Sequence, residues 1–168
     1  MKINGYKAFN RDMTNRYGFR FEEGKTYSVD DYPSFGVNGK GFHFCKNIED
    51  TFRYFNPDNC SIASVTGMGE IAEGFDDYNE YYNMFSSNKI RINHVLSREE
   101  VLSEILSLPI ERRVCRFIAT GYSLSDEEIK IFRDRFNNSL IINQYLDFYS
   151  CGDKEVFERM YNKKILKR

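Results

Sequence analysis

The strand-like segment Gly41-Phe42-His43-Phe44-Cys45 places one of the chain's two histidines two residues from a cysteine. An imidazole beside a thiol is the combination used in nucleophilic catalysis, provided that the two side chains meet. Alternation along a strand puts His43 and Cys45 on one face, but about 7 Å apart, which is too distant for direct proton transfer. His43 is therefore either the wall of a small-molecule site or an ordinary surface or cross-strand histidine.

The four cysteines do not predict a metal site. Cys45, Cys60, Cys115 and Cys151 are far apart and form no Cys-x-x-Cys pair, and neither histidine has a second candidate ligand nearby in sequence. Zinc sites usually show such close ligand pairs. We expect no metal, and thiols that act as small buried apolar groups.

Composition excludes several classes of protein. The 168 residues are 41% apolar and 29% charged, with a net charge of −1, which is ordinary for a globular protein. Neither half is basic enough to bind nucleic acid through phosphate neutralisation alone. No apolar run reaches the roughly 18 residues of a membrane span, and the N-terminal residues lack the apolar region of a signal peptide. We expect a cytoplasmic protein with no membrane partner.

The order of periodicities predicts an α+β fold, in which a small antiparallel sheet domain precedes a stack of short helices. The domain boundary falls at residues 1–96 and 97–168. Period-two patterns predict strands over residues 5–9, 26–29, 41–45, 61–73 and 89–95. Gly67 and Gly69 predict a bulge or bend in the long strand. The acidic, tyrosine-rich residues 74–88 are interpreted as a connector with one possible helical turn.

Helical signals begin after Asn47 and dominate from Ser97 onward. Asn47 is a good N-cap for one or two turns over residues 48–55. Capping patterns at Ser97 and Ser125 and a proline at Pro109 open three further helices. Helices over residues 140–149 and from Asp153 complete the set, before a basic tail at 163–168. Their regular spacing is typical of a bundle or an α-solenoid, and both alternatives remain open.

The two parts of the chain are predicted to share a core. The strand over 89–95 should rejoin the sheet, and the helix after Ser97 should pack on it through Val101, Leu102 and Ile105. Helices this short gain little stability alone, so the two parts should unfold together.

Three arginines of the helical part are candidates for binding. Arg112, Arg113 and Arg116, helped by Arg133 and Arg135, would form a basic face with aromatic residues between them. Acidic residues lie among them, so a solvated helix face is the alternative interpretation.

Several spaced motifs over residues 5–75 resemble a small domain of phage, prophage and bacterial proteins. They are Lys7-Ala8-Phe9, Asp12, Gly18-Phe19, Gly24-Lys25-Thr26-Tyr27, Gly41-Phe42-His43-Phe44-Cys45, Asp50, Tyr54 and Gly69-Glu70-Ile71. The resemblance brings no established activity, and the helical part lies outside it.

A weaker resemblance is to ADP-ribosyltransferase-like domains, through a glycine- and aromatic-rich strand followed by a short helix. The resemblance implies an NAD site with Lys7, His43 and either Glu70 or Glu73 as its catalytic positions. Two of these three residue types differ from the family's pattern, since lysine lacks the hydrogen-bonding fork of arginine and histidine stacks less than tyrosine. The fold is then shared without the activity.

The sequence favours a non-catalytic interaction protein of a phage or mobile element, which binds a host or defence protein and needs no cofactor. An incomplete site and many tyrosines suited to protein contact motivate this interpretation. The alternative is an ADP-ribosyltransferase-like enzyme, or an NAD- or nucleotide-binding relic, that uses the His43 cleft. The sequence does not determine the oligomeric state.

Overall fold

A computed structural model describes residues 1–35, 39–55, 57–76 and 79–151. The strands are β1 (Lys2–Asn10), β2 (Thr26–Ser28), β3 (Phe42–Cys45), β4 (Cys60–Asp76) and β5 (Asn79–Val95). The helices are α1 (Ile48–Thr51), α2 (Arg98–Leu106), α3 (Glu111–Ala119), α4 (Asp126–Arg135) and α5 (Leu140–Ser150). The α+β prediction is confirmed, because a five-stranded antiparallel sheet precedes a series of short helices.

The strand pairings close on themselves. β1 pairs with β4, β4 with β5, β5 with β3, and β3 again with β1, while β2 pairs with residues 89–91 of β5. The contact between β1 and β3 is the weakest of these, with the single register pair Tyr6↔Cys45, whereas β1 pairs with β4 along all nine residues. The sheet therefore has one loosely joined seam.

Apolar side chains from all sides of this ring form one core. It contains Ile3, Phe9, Phe21, Phe44, Ala63, Val65, Phe85, Ile90 and Ile92. The Phe44 ring lies over two glycines, because a Cβ at Gly5 or at Gly67 would overlap it. These two positions let the aromatic ring reach the backbone of β1 and β4.

Residues 74–76 and 79–88 lie in strands, so the prediction of a connector was wrong for these residues. β4 continues to Asp76, β5 begins at Asn79, and the two strands pair from Ala63↔Val95 to Asp76↔Asn79. The segment is rich in Tyr and Phe, which favour strands, and pairing along a long partner satisfies its backbone groups despite its acidic composition. The predicted bulge is confirmed, since the register shifts between Met68 and Ile71 and Gly69 has φ +73°.

Local capping signals set the helix starts. The Ser97 and Ser125 hydroxyls accept the amides of Glu100 and Glu128, and each glutamate accepts the serine amide in return. These reciprocal bonds satisfy amides that a helix start leaves open, as predicted. Helix α1 is shorter than the predicted 48–55, and the Asn47 side chain donates to the Asp50 carboxylate at 3.0 Å instead of capping. The predicted helix from Asp153 and the basic tail lie outside the described residues.

The chain divides into two compact units, Met1–Val101 and Leu102–Arg168. In the second, the rings of Phe117 on α3 and Phe132 on α4 stack with centroids 6.1 Å apart. Tyr149 on α5 accepts the Leu124 amide and donates to the Tyr122 carbonyl. No helix in the described part of the chain combines the length and apolar character needed to span a bilayer. The shared core of the two parts stays a prediction.

Candidate functional site

A cavity of about 330 Å³ opens at the seam between β1 and β3. Both strands contribute to its wall, and so do the loops that precede β2 and β3. Its polar and aromatic lining residues include Tyr6, Lys7, Asn15, Arg16, Tyr17, Phe21, Phe35, Phe42, His43, Phe44, Cys45, Tyr54 and Phe55. At this seam β1 and β3 share the single register pair Tyr6↔Cys45, and residues of both strands line the cavity.

Lys7 on β1 carries the amine of the cavity. Its Nζ donates to the backbone carbonyl of His43 at 2.6 Å and lies 5.6 Å from the centroid of the Phe9 ring. Burial is the main cause that lowers the pKa of Lys7 from 10.5 to about 8; the interaction with Cys45 opposes this shift, and the positive charge of Arg16 adds to it. A lysine held this way is charged at neutral pH at a cost in folding free energy.

Lys7→Met is therefore expected to raise the free energy of unfolding at pH 7 by about 1–2 kcal/mol, after allowance for the lost hydrogen bond. The folded state binds this proton more weakly than the unfolded state, so wild-type stability rises as the pH goes from about 8 to 10.5. The variant lacks that rise, and the two proteins converge above this window. Urea denaturation at several pH values measures the difference.

Lys2→Met is the matched control, because Lys2 is an exposed lysine on the same strand. We expect its stability to follow that of the wild type across the same pH range. A Lys7→Met variant that is less stable than the wild type at pH 7 contradicts the assignment of Lys7 as a destabilising cation.

The neighbouring loop orients His43. Its Nε2 lies 2.9 Å from the Ser34 carbonyl, and since a carbonyl only accepts, Nε2 carries the proton. The Phe35 ring packs on the imidazole with centroids 5.2 Å apart. Burial lowers the pKa of His43. The hydrogen bond to Ser34 opposes this shift, and the positive charges of Lys7 and Arg16 add to it. The ring is thus neutral at pH 7, with Nδ1 as an acceptor.

Cys45 lies in the same wall but is a poor nucleophile. The thiol is buried, and burial raises its pKa far above the ordinary value, with Asp50 adding to the effect and Lys7 opposing it. The thiolate, which is the reactive form, is therefore scarce at neutral pH. The separation of His43 and Cys45 expected from strand alternation stays a prediction.

Arg16 is a cavity residue that the sequence did not indicate. It follows Asn15, whose side-chain oxygen accepts the backbone amides of Tyr17 and Phe19. Gly18, at φ +81°, completes this turn, which brings exposed Arg16 and Tyr17 to the cavity. The one signal in the sequence was the turn-forming pair Asn15 and Gly18 around a basic residue.

The structure brings Lys7 and His43 together but leaves the two predicted glutamates elsewhere. Glu70 and Glu73 are exposed on β4 after its bulge, and the Glu70 amide donates to the Asn88 side chain at 3.0 Å. Among the described residues, no Asp or Glu lines the cavity. The cavity therefore combines two cationic side chains with a neutral imidazole.

The second histidine has a different role. His94 lies between Glu23 and Glu100, with nitrogen–oxygen distances of 3.3 and 3.0 Å. Hydrogen bonds to Glu100 and Glu23 raise the pKa of this exposed histidine. It links the end of β5 to the turn before β2 and to the start of α2.

The predicted arginine face does not form as a single exposed surface. Arg112 is exposed and Arg113 half-buried, but Arg116 is only 7% exposed within α3. A buried guanidinium cannot contact a partner at the surface. The prediction of Arg116 as a surface binding residue is therefore wrong, because its position on the helix coincides with the buried stripe of Val114, Phe117 and Ile118.

Comparisons with curated proteins and with solved structures give no match. A family model does match, over residues 3–104, a range that contains every lining residue of the cavity and well over half of the chain. The first compact unit and the family domain thus nearly coincide. The chain belongs to the family described as a domain of unknown function, DUF7666.

Proposed function

We propose that the first unit is a binding module for a small anionic ligand that carries a flat ring, of the nucleotide class, in the Lys7–His43 cavity. The observation that carries the proposal is charge. Lys7 and Arg16 both line the cavity, and burial is the main reason that the pKa of Lys7 is lowered. With no carboxylate from the described residues in the lining, an anion is the group that would neutralise these two cations.

The size and walls of the cavity narrow the class of ligand. A volume of about 330 Å³ is at the lower end of the range for small-molecule sites. Aromatic side chains such as Phe35, Tyr17 and Tyr54 line it, and flat rings bind by stacking on such groups. Nδ1 of His43 offers an acceptor for a ring N–H. These features favour a single nucleotide over a larger dinucleotide.

This proposal keeps one part of the sequence interpretation and leaves the rest as predictions. It agrees with the nucleotide-binding relic named in the alternative interpretation, favours a mononucleotide over NAD, and requires no catalysis. The phage origin and the host or defence partner stay predictions. Exposed Tyr17, Phe19 and Tyr32 favour such a partner, because aromatic side chains are enriched in protein interfaces.

Isothermal titration of the full chain with adenosine monophosphate, adenosine and inorganic phosphate tests the proposal. We expect the nucleotide to bind more tightly than either fragment. Arg16→Gln should weaken nucleotide binding about tenfold, since a charge-assisted hydrogen bond contributes about 1.5–3 kcal/mol. Affinity for the wild type should also fall as the pH rises past about 8, where Lys7 loses its proton.

Two controls separate binding from folding and from general charge. Lys7→Met should lose the pH dependence while remaining folded, and Lys2→Gln removes the same charge from the same strand outside the cavity. Equal affinity for adenosine and its monophosphate, or unchanged binding in Arg16→Gln, contradicts an anion site. Absence of heat with the nucleotide, the nucleoside and phosphate overturns the proposal.

A further inference from the structure

We propose that the amine of Lys7 captures the carbonyl group of an anionic aldehyde or ketone as a reversible imine. This inference rests on the proposed function, because the same cavity must first hold the anionic part of the ligand. It adds a carbonyl group to the ligand, which reversible anion binding alone does not require.

The geometry supports a positioned amine. Nζ of Lys7 donates one proton to the His43 carbonyl at 2.6 Å, which fixes the nitrogen at the cavity wall. The centroid of the Phe9 ring lies 5.6 Å from the same nitrogen. The neutral amine has one lone pair, which is left for a ligand because the hydrogen bond to His43 uses an N–H.

Lys7 is mostly charged at pH 7, but its reactive free amine becomes a major form near pH 8. With a pKa of about 8, roughly half of Lys7 is the free amine at pH 8, against about 0.3% of a lysine with the ordinary value of 10.5. Free amines, not ammonium groups, attack carbonyl carbons, and burial of a lysine is the usual way to supply them.

The reaction balances without a further reactant. The nitrogen lone pair forms the N–C bond while the C=O π pair moves to oxygen, and transfer of a proton from nitrogen to that oxygen gives a carbinolamine. The C–O bond then breaks as the nitrogen lone pair forms the C=N bond, and the departing hydroxide takes the remaining N–H proton to become water. The products are the imine and one water molecule.

Other described lysines lack this combination. Lys25 and Lys40 are exposed and lie 2.7 Å from Glu22 and Asp31, respectively. The hydrogen bond to Glu22 raises the pKa of Lys25, which keeps it protonated. Lys25 is therefore an internal reference for a lysine in the same unit that should react slowly.

Pyridoxal 5′-phosphate is the probe, because it combines an aldehyde, a flat ring and a phosphate. The full-length protein is treated at pH 8, reduced with borohydride to fix the imine, and mapped by peptide mass spectrometry. We expect Lys7 to be labelled at least about tenfold faster than Lys25 or Lys2, given the difference in free-amine fraction. Arg16→Gln should slow labelling by pyridoxal 5′-phosphate but not by pyridoxal, which lacks the phosphate.

Pyridoxine 5′-phosphate, the alcohol analogue, separates this inference from the proposed function. If it binds by calorimetry while Lys7 is not labelled by the aldehyde, the imine proposal is overturned and the anion site stands. If it does not bind and Lys7 is not labelled, both fail. Labelling of Lys7, Lys25 and Lys2 at equal rates also overturns the imine proposal, and this comparison within the wild-type chain needs no variant to fold.

Discussion

Replacing Gly67 by valine is expected to destabilise the protein by about 3 kcal/mol or more, a large part of the 5–15 kcal/mol typical of a folded domain. A Cβ at this position would lie 2.5 Å from Cε1 of Phe44. Real carbon–carbon contacts are about 3.5–4.0 Å, so the ring or the strand must move. Chemical denaturation of the variant measures the loss.

The Phe44 ring is enclosed by its neighbours and has no space into which it could move. It is 2% exposed, stacks on Phe85 with centroids 5.6 Å apart, and faces Gly5, where a Cβ would lie 2.9 Å from its Cδ2. The expected loss of stability is opposite to the intrinsic strand preference of the two residues, because valine is favoured over glycine in strands wherever space allows. The tertiary contact should therefore outweigh the local propensity.

Two further variants make this test specific. Glu70→Val places the same residue on the exposed part of the same strand, where we expect a change within about 0.5 kcal/mol. Gly67→Ala combined with Phe44→Leu should cost less than the sum of the single changes, because the smaller side chain makes room. A Gly67→Val protein as stable as the wild type would falsify the packing argument.

A chain that ends after Asn88 is expected not to fold cooperatively. The cut removes residues 89–95, which pair with both β2 and β4. It also removes Ile90 and Ile92, both 0% exposed in the core, whose burial contributes about 1.5–3 kcal/mol each. With β5 cut short, β2 loses its whole partner, and the edge of β4 from Ala63 to Met68 is open.

Calorimetry and amide proton dispersion of the 1–88 fragment are the measurements, and a soluble fragment with a cooperative transition contradicts the prediction. In the full chain, Ile92→Ala should cost about 2–5 kcal/mol as a core truncation. Arg91→Ala, at the exposed neighbouring position, should change stability little. This pair shows whether the core face of β5, and not chain length, explains the result.

Much of the fold follows from local patterns. The alternation over 89–95 predicted a strand because Ile90 and Ile92 share one face, and both are fully buried. The capping serines at 97 and 125 predicted helix starts because the bonds they make span three residues. Residues 74–76 and 79–88 were misassigned because nothing within the segment reveals that a long partner strand lies beside it.

Only part of the candidate site could be predicted from the sequence in the same way. Period-two alternation placed His43 on a face with Cys45, and a resemblance paired His43 with Lys7, 36 residues earlier in the chain. Arg16 could not be assigned, because its place depends on a turn held by Asn15 folding back over the seam. The glutamates at 70 and 73 matched a pattern of residue types, but their positions in space exclude them from the cavity lining.

The sequence by itself determined the class of fold, most element boundaries and the residues that face the core, since periodicity and capping act within a few residues. Only the tertiary structure decided that β1 and β3 meet at a single pair, because pairing between distant strands depends on the whole ring of contacts. The cavity is lined by residues of both strands at that seam, and burial there lowers the pKa of Lys7 to about 8. Charge and desolvation in a cavity are properties of neighbours in space, and the order of residues along the chain does not specify them.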